Sequence, residues 1–297
     1  MSDRLQAAIF ASLCVLLWGL IPVVAKTGQI GLTSEQFLFF SSLTSFLVMS
    51  GVALLSGKWH QVKVLRINDG LKIVANGLLG TWLYYWLLYQ GYSLADGVEV
   101  LVTQYTWPVT ICVLSVLILK EQWHRYKSLA VIFGFSSVVL VLTKGNLNSV
   151  TVSEPVAIFW VFVGATSFAM FSVLSKYFHY EPITLTTLYF AVATVASGVQ
   201  LSVTGQWAWP ASEGLLPIIV NGALVNGISY LLWIWAIKKA DMSFATTFTF
   251  ATPLISLLYL VLFFNEAFLA VYGIAFLLAT LAGFFANKGP PTLPKSS

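Results

Sequence analysis

The sequence predicts an all-α integral membrane protein: ten transmembrane helices arranged as two inverted five-helix repeats. Three observations carry that reading. The 297 residues are 58% hydrophobic and 9% charged, with a mean hydropathy of +0.86, where soluble domains carry about 25% charge. Ten apolar stretches are each long enough to cross a hydrocarbon core of about 30 Å as a helix. The third observation is a duplication. Asn76-Gly77, Tyr85, Ala95-Asp96, Pro108 and Glu121 recur 145 residues later as Asn221-Gly222, Tyr230, Ala240-Asp241, Pro253 and Glu266. Across the 46 positions from Asn76 to Glu121, 11 match at that offset, against about 5 by composition alone.

The spans lie near 5–25, 36–56, 71–91, 98–119, 126–143, 155–176, 184–204, 214–237, 243–264 and 268–286. The first five fall in residues 1–147, the first repeat, and the other five in 148–287, the second. Residues 288–297, with Pro290-Pro291 and Pro294, read as a disordered tail. Short loops leave no room for a soluble domain. Arg4 followed by an apolar run has the look of a signal peptide, but no small-x-small cleavage site follows Trp18-Gly19-Leu20, so the stretch is read as the first span. Five is odd, so the second repeat enters the membrane the opposite way up. Such inverted pairs place a solute near the midplane between repeats and point to a transporter. The offset of 145 relates spans three to five to spans eight to ten; the first two align better at 150, where Lys26 meets Lys176.

Charge sets the expected orientation. With the N-terminus inside, the inner segments hold Arg4, Lys58, Lys63, Arg66, Lys72, Lys120, Arg125, Lys127, Lys176, Lys238, Lys239, Lys288 and Lys295, and the outer ones hold only Lys26 and Lys144. Cytoplasmic loops collect Lys and Arg, so both termini are expected in the cytoplasm, of a bacterial inner membrane. The net charge of +4 follows from this asymmetry and calls for no nucleic-acid partner; membrane lipids and a small solute are the expected partners, and a monomer the expected unit. Cys14 and Cys112 sit in separate spans with no metal or redox spacing and read as apolar filler. No metal or other cofactor is expected.

Pro108 and Pro253 fall about ten residues, or roughly 15 Å, into their spans, near the midplane. A proline there removes a backbone hydrogen bond and bends the helix, as a hinge beside a cavity or as a static kink. Glu121 and Glu266 each follow their proline by about 20 Å of helix, at a membrane face and just before the next span. A carboxylate there is expected to cap free amides rather than carry protons through the membrane. Asp96 and Asp241, in short turns, are read the same way.

Between helix ends, no span contains Asp, Glu, His, Lys or Arg. Ionisable groups at depth mark proton relays and ion-coupled pumps, so an uncharged pathway is expected, with Glu99 at its mouth still able to titrate. Its polarity must come from amides, hydroxyls and aromatic edges. The residues predicted to line it are Trp18, Ser42, Asn76, Tyr84, Gln104, Tyr105, Trp107, Asn221 and Tyr230, with Tyr85 and Asn226 as further candidates. Asn76, Gly80 and Tyr84 share a helical face, as do Gln104 and Pro108. Aromatic faces can stack on an aromatic solute and hold its ammonium; each of these residues could equally be glue between helices or, at a span end, an interfacial anchor. Trp123, Trp207 and Trp209 sit at span ends and read as belt residues.

Each half thus carries a mid-span proline, a glutamate 13 positions later and then a glycine: Trp107-Pro108 to Lys120-Glu121 and Gly134, then Thr252-Pro253 to Asn265-Glu266 and Gly273. With Trp18-Gly19 and the Asn-Gly pair opening spans three and eight, this pattern resembles the ten-helix repeat of the drug/metabolite transporter superfamily, the EamA transporters, over nearly the whole chain. The run Glu99-Val100 to Tyr105-Thr106-Trp107-Pro108 is similar to bacterial aromatic amino acid exporters within it. The resemblance implies export of aromatic and other neutral amino acids by alternating access. The uncharged spans suggest that this movement is facilitative. Efflux of drugs or neutral metabolites, with or without proton coupling, is the alternative. An enzyme is disfavoured: His60, His124 and His179 fall in loops without paired-ligand spacing, and there is no nucleophile constellation or phosphate-binding loop.

Overall fold

The computed structural model describes residues 1–28, 32–63, 65–95, 97–149, 152, 154–264 and 268–288. Asp96, Glu266, the 289–297 tail and the side chains of Lys26 and Glu99 lie outside the described residues. Every regular element among the described residues is helical.

The chain opens with α1 (Asp3–Trp18), capped by the Ser2 hydroxyl on the Leu5 amide. The break at Gly19-Leu20 separates it from α2 (Ile21–Gly28). A reciprocal cap between Thr33 and Gln36 starts α3 (Ser34–Leu55), and a single turn, α4 (His60–Lys63), follows. Next α5 (Ile67–Gly77) passes through a π-helical stretch, Leu78–Leu83, into α6 (Tyr84–Leu94). The half then closes with α7 (Gly97–Gln104), α8 (Trp107–Leu119) and α9 (Arg125–Thr143).

The remainder comprises α10 (Pro155–Ser175), α11 (Pro182–Thr204), α12 (Ser212–Val220), a second π stretch over Asn221–Ile228, α13 (Ser229–Lys239) and α14 (Met242–Phe248). A 3-10 turn, Thr249–Ala251, leads into α15 (Thr252–Phe264), and α16 (Val271–Lys288) ends the described chain.

Seven helices among the described residues are long and apolar enough to cross a membrane: Ser34–Leu55, Val100–Leu119, Arg125–Thr143, Pro155–Ser175, Pro182–Thr204, Ser212–Lys239 and Met242–Phe264. Where a first span was expected, the chain is divided at Gly19-Leu20. The last apolar helix, Val271–Ala286, is shorter. Helix boundaries repeat at the offset of the sequence duplication. Tyr84 and Ser229 begin α6 and α13, and Leu94 and Lys239 end them; Trp107 and Thr252 begin α8 and α15, and Leu119 and Phe264 end them. Both π stretches stop one residue before α6 and α13.

Packing follows the same scheme, with α1 against α13 and α10 against α6, while α3 lies on α11 and α9 on α16. The interior is rich in aromatics, with Trp233, Tyr189, Tyr230, Phe171 and Phe190 fully buried. Large apolar side chains such as Leu54, Phe159, Val199 and Phe276 face outward, as helices in lipid require. Trp123, Trp207 and Trp209 are exposed too. Both ends of the described chain meet at one end of the bundle, where Arg4 Nη2 donates to the Ala286 carbonyl at 2.9 Å and Lys239 pairs with Asp3 at 2.8 Å. This is called the terminal end below.

Candidate functional site

The helix breaks in α7–α8 and α14–α15 build the centre of the molecule. Each proline stands second in a 13-residue helix, Pro108 in α8 and Pro253 in α15. The missing proline N–H costs nothing at such a position. The interruptions lie just upstream, at Tyr105-Thr106 and at Thr249–Ala251. The helical path thus loosens just upstream of each proline, within the longer helices Val100–Leu119 and Met242–Phe264.

Around these breaks six of the predicted lining residues come together. Trp18, Tyr84, Gln104, Tyr105, Trp107 and Tyr230 surround one cavity of ≈ 30 Å³, with Ile21, Tyr85, Phe168 and Thr252 completing its wall. The space suits a water molecule or two, so the walls are nearly in contact. Two pairs in the wall are repeat mates 145 positions apart, Tyr85 with Tyr230 and Trp107 with Thr252.

The rings meet edge to face. Trp18 stands perpendicular to Trp107 at 5.8 Å between centroids, and Phe168 lies 5.1 Å from Trp107, 5.0 Å from Tyr84 and 5.9 Å from Tyr230. Such pairs are worth about 0.5–1.5 kcal/mol each beyond the area they bury. Polar groups are few and mostly engaged. Gln104 Nε2 donates to the Tyr84 hydroxyl at 2.7 Å, Tyr85 donates to Asn226 at 3.2 Å, and Tyr230 donates to the Gly80 carbonyl at 3.2 Å. The Thr252 hydroxyl, buried in the wall, has no hydrogen-bond partner among the described residues.

Three predicted lining residues lie elsewhere. Asn221 donates to Ser41 on α3 at 3.0 Å, and Asn76 donates to the Phe171 carbonyl, Ser175 and the Tyr189 hydroxyl at 3.3, 2.9 and 3.0 Å. Both amides tie helices together. Ser42 is fully buried in α3, away from the aromatic wall. Phe168 went unnoticed in the sequence because it belongs to a run of apolar and aromatic residues with no polar neighbour to single it out. Its geometry makes it the hub of the cage.

Toward the terminal end a set of polar ties joins α8 to α14 and to the segment after α10. After α8, Lys120 takes a left-handed conformation with φ 55°, and the Glu121 amide bonds back to the Ser115 carbonyl at 3.2 Å. This turn drives Glu121 inward. Its Oε1 accepts the Met242 amide at 2.6 Å and its Oε2 accepts the Ser243 hydroxyl at 2.9 Å, so the carboxylate caps α14. Lys127 approaches at 3.1 Å and Lys176 at 3.8 Å. The capping expected of Glu121 is thus present, but on the distant α14; His124 Nδ1 accepts the Lys127 amide and caps the next helix, α9.

Burial pushes the Glu121 carboxyl up, but the two lysines and the Met242 amide outweigh it and hold it below the ordinary 4.5. Burial pulls Lys176 below its usual range despite the facing carboxylate. Further ties join the same end: Lys176 Nζ to the Ala240 carbonyl at 2.6 Å, and Lys238 Nζ to the carbonyls of Phe178 and Tyr180 at 2.6 and 2.7 Å.

A bundle of apolar helices packed around a buried aromatic site has the architecture of a membrane transporter. The EamA-like transporter family matches this chain over residues 5–143 and 155–287, and the chain belongs to that family. Its relatives include an uncharacterised transporter, YoaV, of Bacillus subtilis, 26% identical over 82% of this chain and 84% of that protein. Another is the aromatic amino acid exporter YddG of Ancylobacter novellus, 21% identical over 87% of this chain and 89% of that protein. A solved crystal structure, 18% identical, shares the fold with a TM-score of 0.84 over 94% of this chain and 96% of that one.

Proposed function

We propose that this transporter exports aromatic and other large neutral amino acids from the cytoplasm by alternating access between two inverted five-helix repeats. The single observation that carries the reading is the aromatic cage at the helix breaks. Its walls pair Trp18, Trp107, Phe168 and Tyr230, where an aromatic side chain would find stacking partners and an ammonium a ring face. The unpartnered Thr252 hydroxyl offers one more hydrogen bond to a solute. The name of the Ancylobacter novellus relative points the same way.

On this reading the terminal end is cytoplasmic, and the present conformer is closed there by the ties of Glu121 to Met242, Ser243 and Lys176. Loading requires those ties to part and the cage to widen. The helix breaks before Pro108 and Pro253 sit where the halves would pivot. Among the described residues lining the cavity there is no Asp, Glu, His, Lys or Arg, which supports facilitative movement.

Flux in proteoliposomes tests this. Labelled tryptophan and threonine are compared with a lipophilic cation, with and without a pH gradient. Saturable amino acid flux that ignores the gradient is expected. Flux of the cation alone would favour a drug carrier. Flux that collapses without the gradient would remove the facilitative mechanism.

A further inference from the structure

A second cavity lies nearer the terminal end, a cleft of ≈ 550 Å³ between the α5 face and the segment that follows α10. That volume is in the range of small-ligand sites, whereas the aromatic cage has closed down to a water-sized space. The rim carries Arg66, Lys72 and His179, and the inner wall is apolar, formed by Leu79, Leu174 and Phe178. Asp69 also borders it and accepts the Tyr180 hydroxyl at 2.9 Å.

Asn76 forms part of the floor. It is 2% exposed, and its Oδ1 has no donor among the described residues. The Phe171 carbonyl, which can only accept, fixes the Nδ2 side of the amide. A buried amide oxygen left without a partner is uncommon in native interiors and marks a place where something else donates.

Phe171 lies between two rings of the cage wall and Asn76 of the cleft. Its ring lies 5.7 Å from Phe168 and 5.9 Å from Tyr230, both in the cage wall, and its backbone carbonyl is held by Asn76 on the cleft side. The ring rests on Gly80, where a Cβ would come within 2.0 Å of it. Along one helical face the order is Lys72, Asn76, Gly80, Tyr84, from the rim of the cleft, past Phe171, to the cage.

We infer that the cleft is a second amino-acid-binding site, an antechamber. There the solute carboxylate meets Arg66 and Lys72, its ammonium donates toward Asn76, and its side chain lies on the apolar wall until Phe171 gives way. The inference rests on the amino acid reading above. It adds a site in which the two charged groups of the zwitterion are recognised before the uncharged cage is reached. A phosphatidylethanolamine headgroup offers the same pairing of anion and ammonium, so the test must separate the two.

Equilibrium binding of labelled L-tryptophan to the purified transporter in phosphatidylcholine nanodiscs reads the number of sites per chain. Two sites are expected. The exposed double variant Arg66→Gln/Lys72→Gln should weaken one of them about tenfold or more and leave the other unchanged, while Trp107→Ala should do the reverse. Binding of tryptamine, which lacks the carboxylate, should not respond to the double variant. One site insensitive to Arg66→Gln/Lys72→Gln but lost in Trp107→Ala would overturn the antechamber and leave the amino acid reading intact. A second site abolished by adding phosphatidylethanolamine to the nanodisc would assign the cleft to lipid and overturn it as well. No L-tryptophan binding to the unaltered protein would remove the amino acid reading and the antechamber together.

Discussion

The carboxylate of Glu121 receives the backbone amide of Met242 at 2.6 Å, a bond between residues 121 positions apart that joins the end of α8 to the start of α14. Its side chain is 6% exposed and the paired Lys127 is 8% exposed. Replacing Glu121 with Gln leaves two lysines facing a neutral amide. Breaking a buried pair from one side costs about 3 kcal/mol, so Glu121→Gln should lower the melting temperature. It should also loosen the terminal end, read as faster modification of a cysteine placed at Ser243. Unchanged labelling would mean that Glu121 serves stability alone.

The same group predicts a pH response. Its folded pKa lies below the ordinary 4.5, so its stabilisation is in full force above about pH 4.5 and is lost as pH falls through the lower folded value. The contribution of Glu121 to thermal stability should stay level from about pH 8 to about pH 5 and decline below that. Glu121→Gln should flatten the acid side of the profile, measured by thermal unfolding in detergent.

Pro108→Ala together with Pro253→Ala restores an amide at the second position of α8 and of α15. The loosened turns upstream should then tighten toward regular helix, and flux should fall several-fold while the melting temperature changes little. Equal flux in the double variant would remove the pivot from the mechanism.

Two glycines at matched close approaches should both respond to alanine. At Gly80 the added carbon meets the Phe171 ring at 2.0 Å, and at Gly222 it meets the Ser41 carbonyl oxygen at 2.6 Å and Thr44 Cβ at 2.5 Å. Turning the Phe171 ring leaves Cγ in place, so the whole side chain must shift, and the Ser41 carbonyl is fixed in a packed helix. Both Gly80→Ala and Gly222→Ala should therefore destabilise, by about 1–3 kcal/mol, and Gly80→Ala should in addition impair transport by displacing Phe171.

Removing the hub of the cage by Phe168→Ala should raise KM for tryptophan about tenfold, the equivalent of about 1.4 kcal/mol, more than for threonine. An equal change for both substrates would place Phe168 outside the site.

What the sequence disclosed followed chemical rarity. Trp18, Gln104 and Trp107 were visible because an amide or an indole in an apolar helix requires a reason. Pro108 and Pro253 were visible because proline lacks an amide, but periodicity could not show that the break falls upstream of each. Phe168 was hidden by the ordinariness of phenylalanine in a membrane helix. Asn76 and Asn221 were visible but ambiguous, since an amide that joins helices and one that lines a cavity look alike until partners are seen. Glu121 was read as a cap, but its partner α14 lies too far along the chain for local reasoning to find.

The π stretches at Leu78–Leu83 and Asn221–Ile228 carry a consequence for tolerance to deletion. Each accommodates surplus backbone relative to an α-helix. Deleting one residue there should convert the bulge to regular helix and leave the downstream side chains facing as before, because the wider turn already absorbs one residue. The same deletion in an ordinary helical turn would rotate everything downstream by about 100° and swing Tyr84 and Tyr85, or Tyr230, off the cavity with their chemistry untouched. Which rings face the solute is set here by phase, a matter of how many residues precede them.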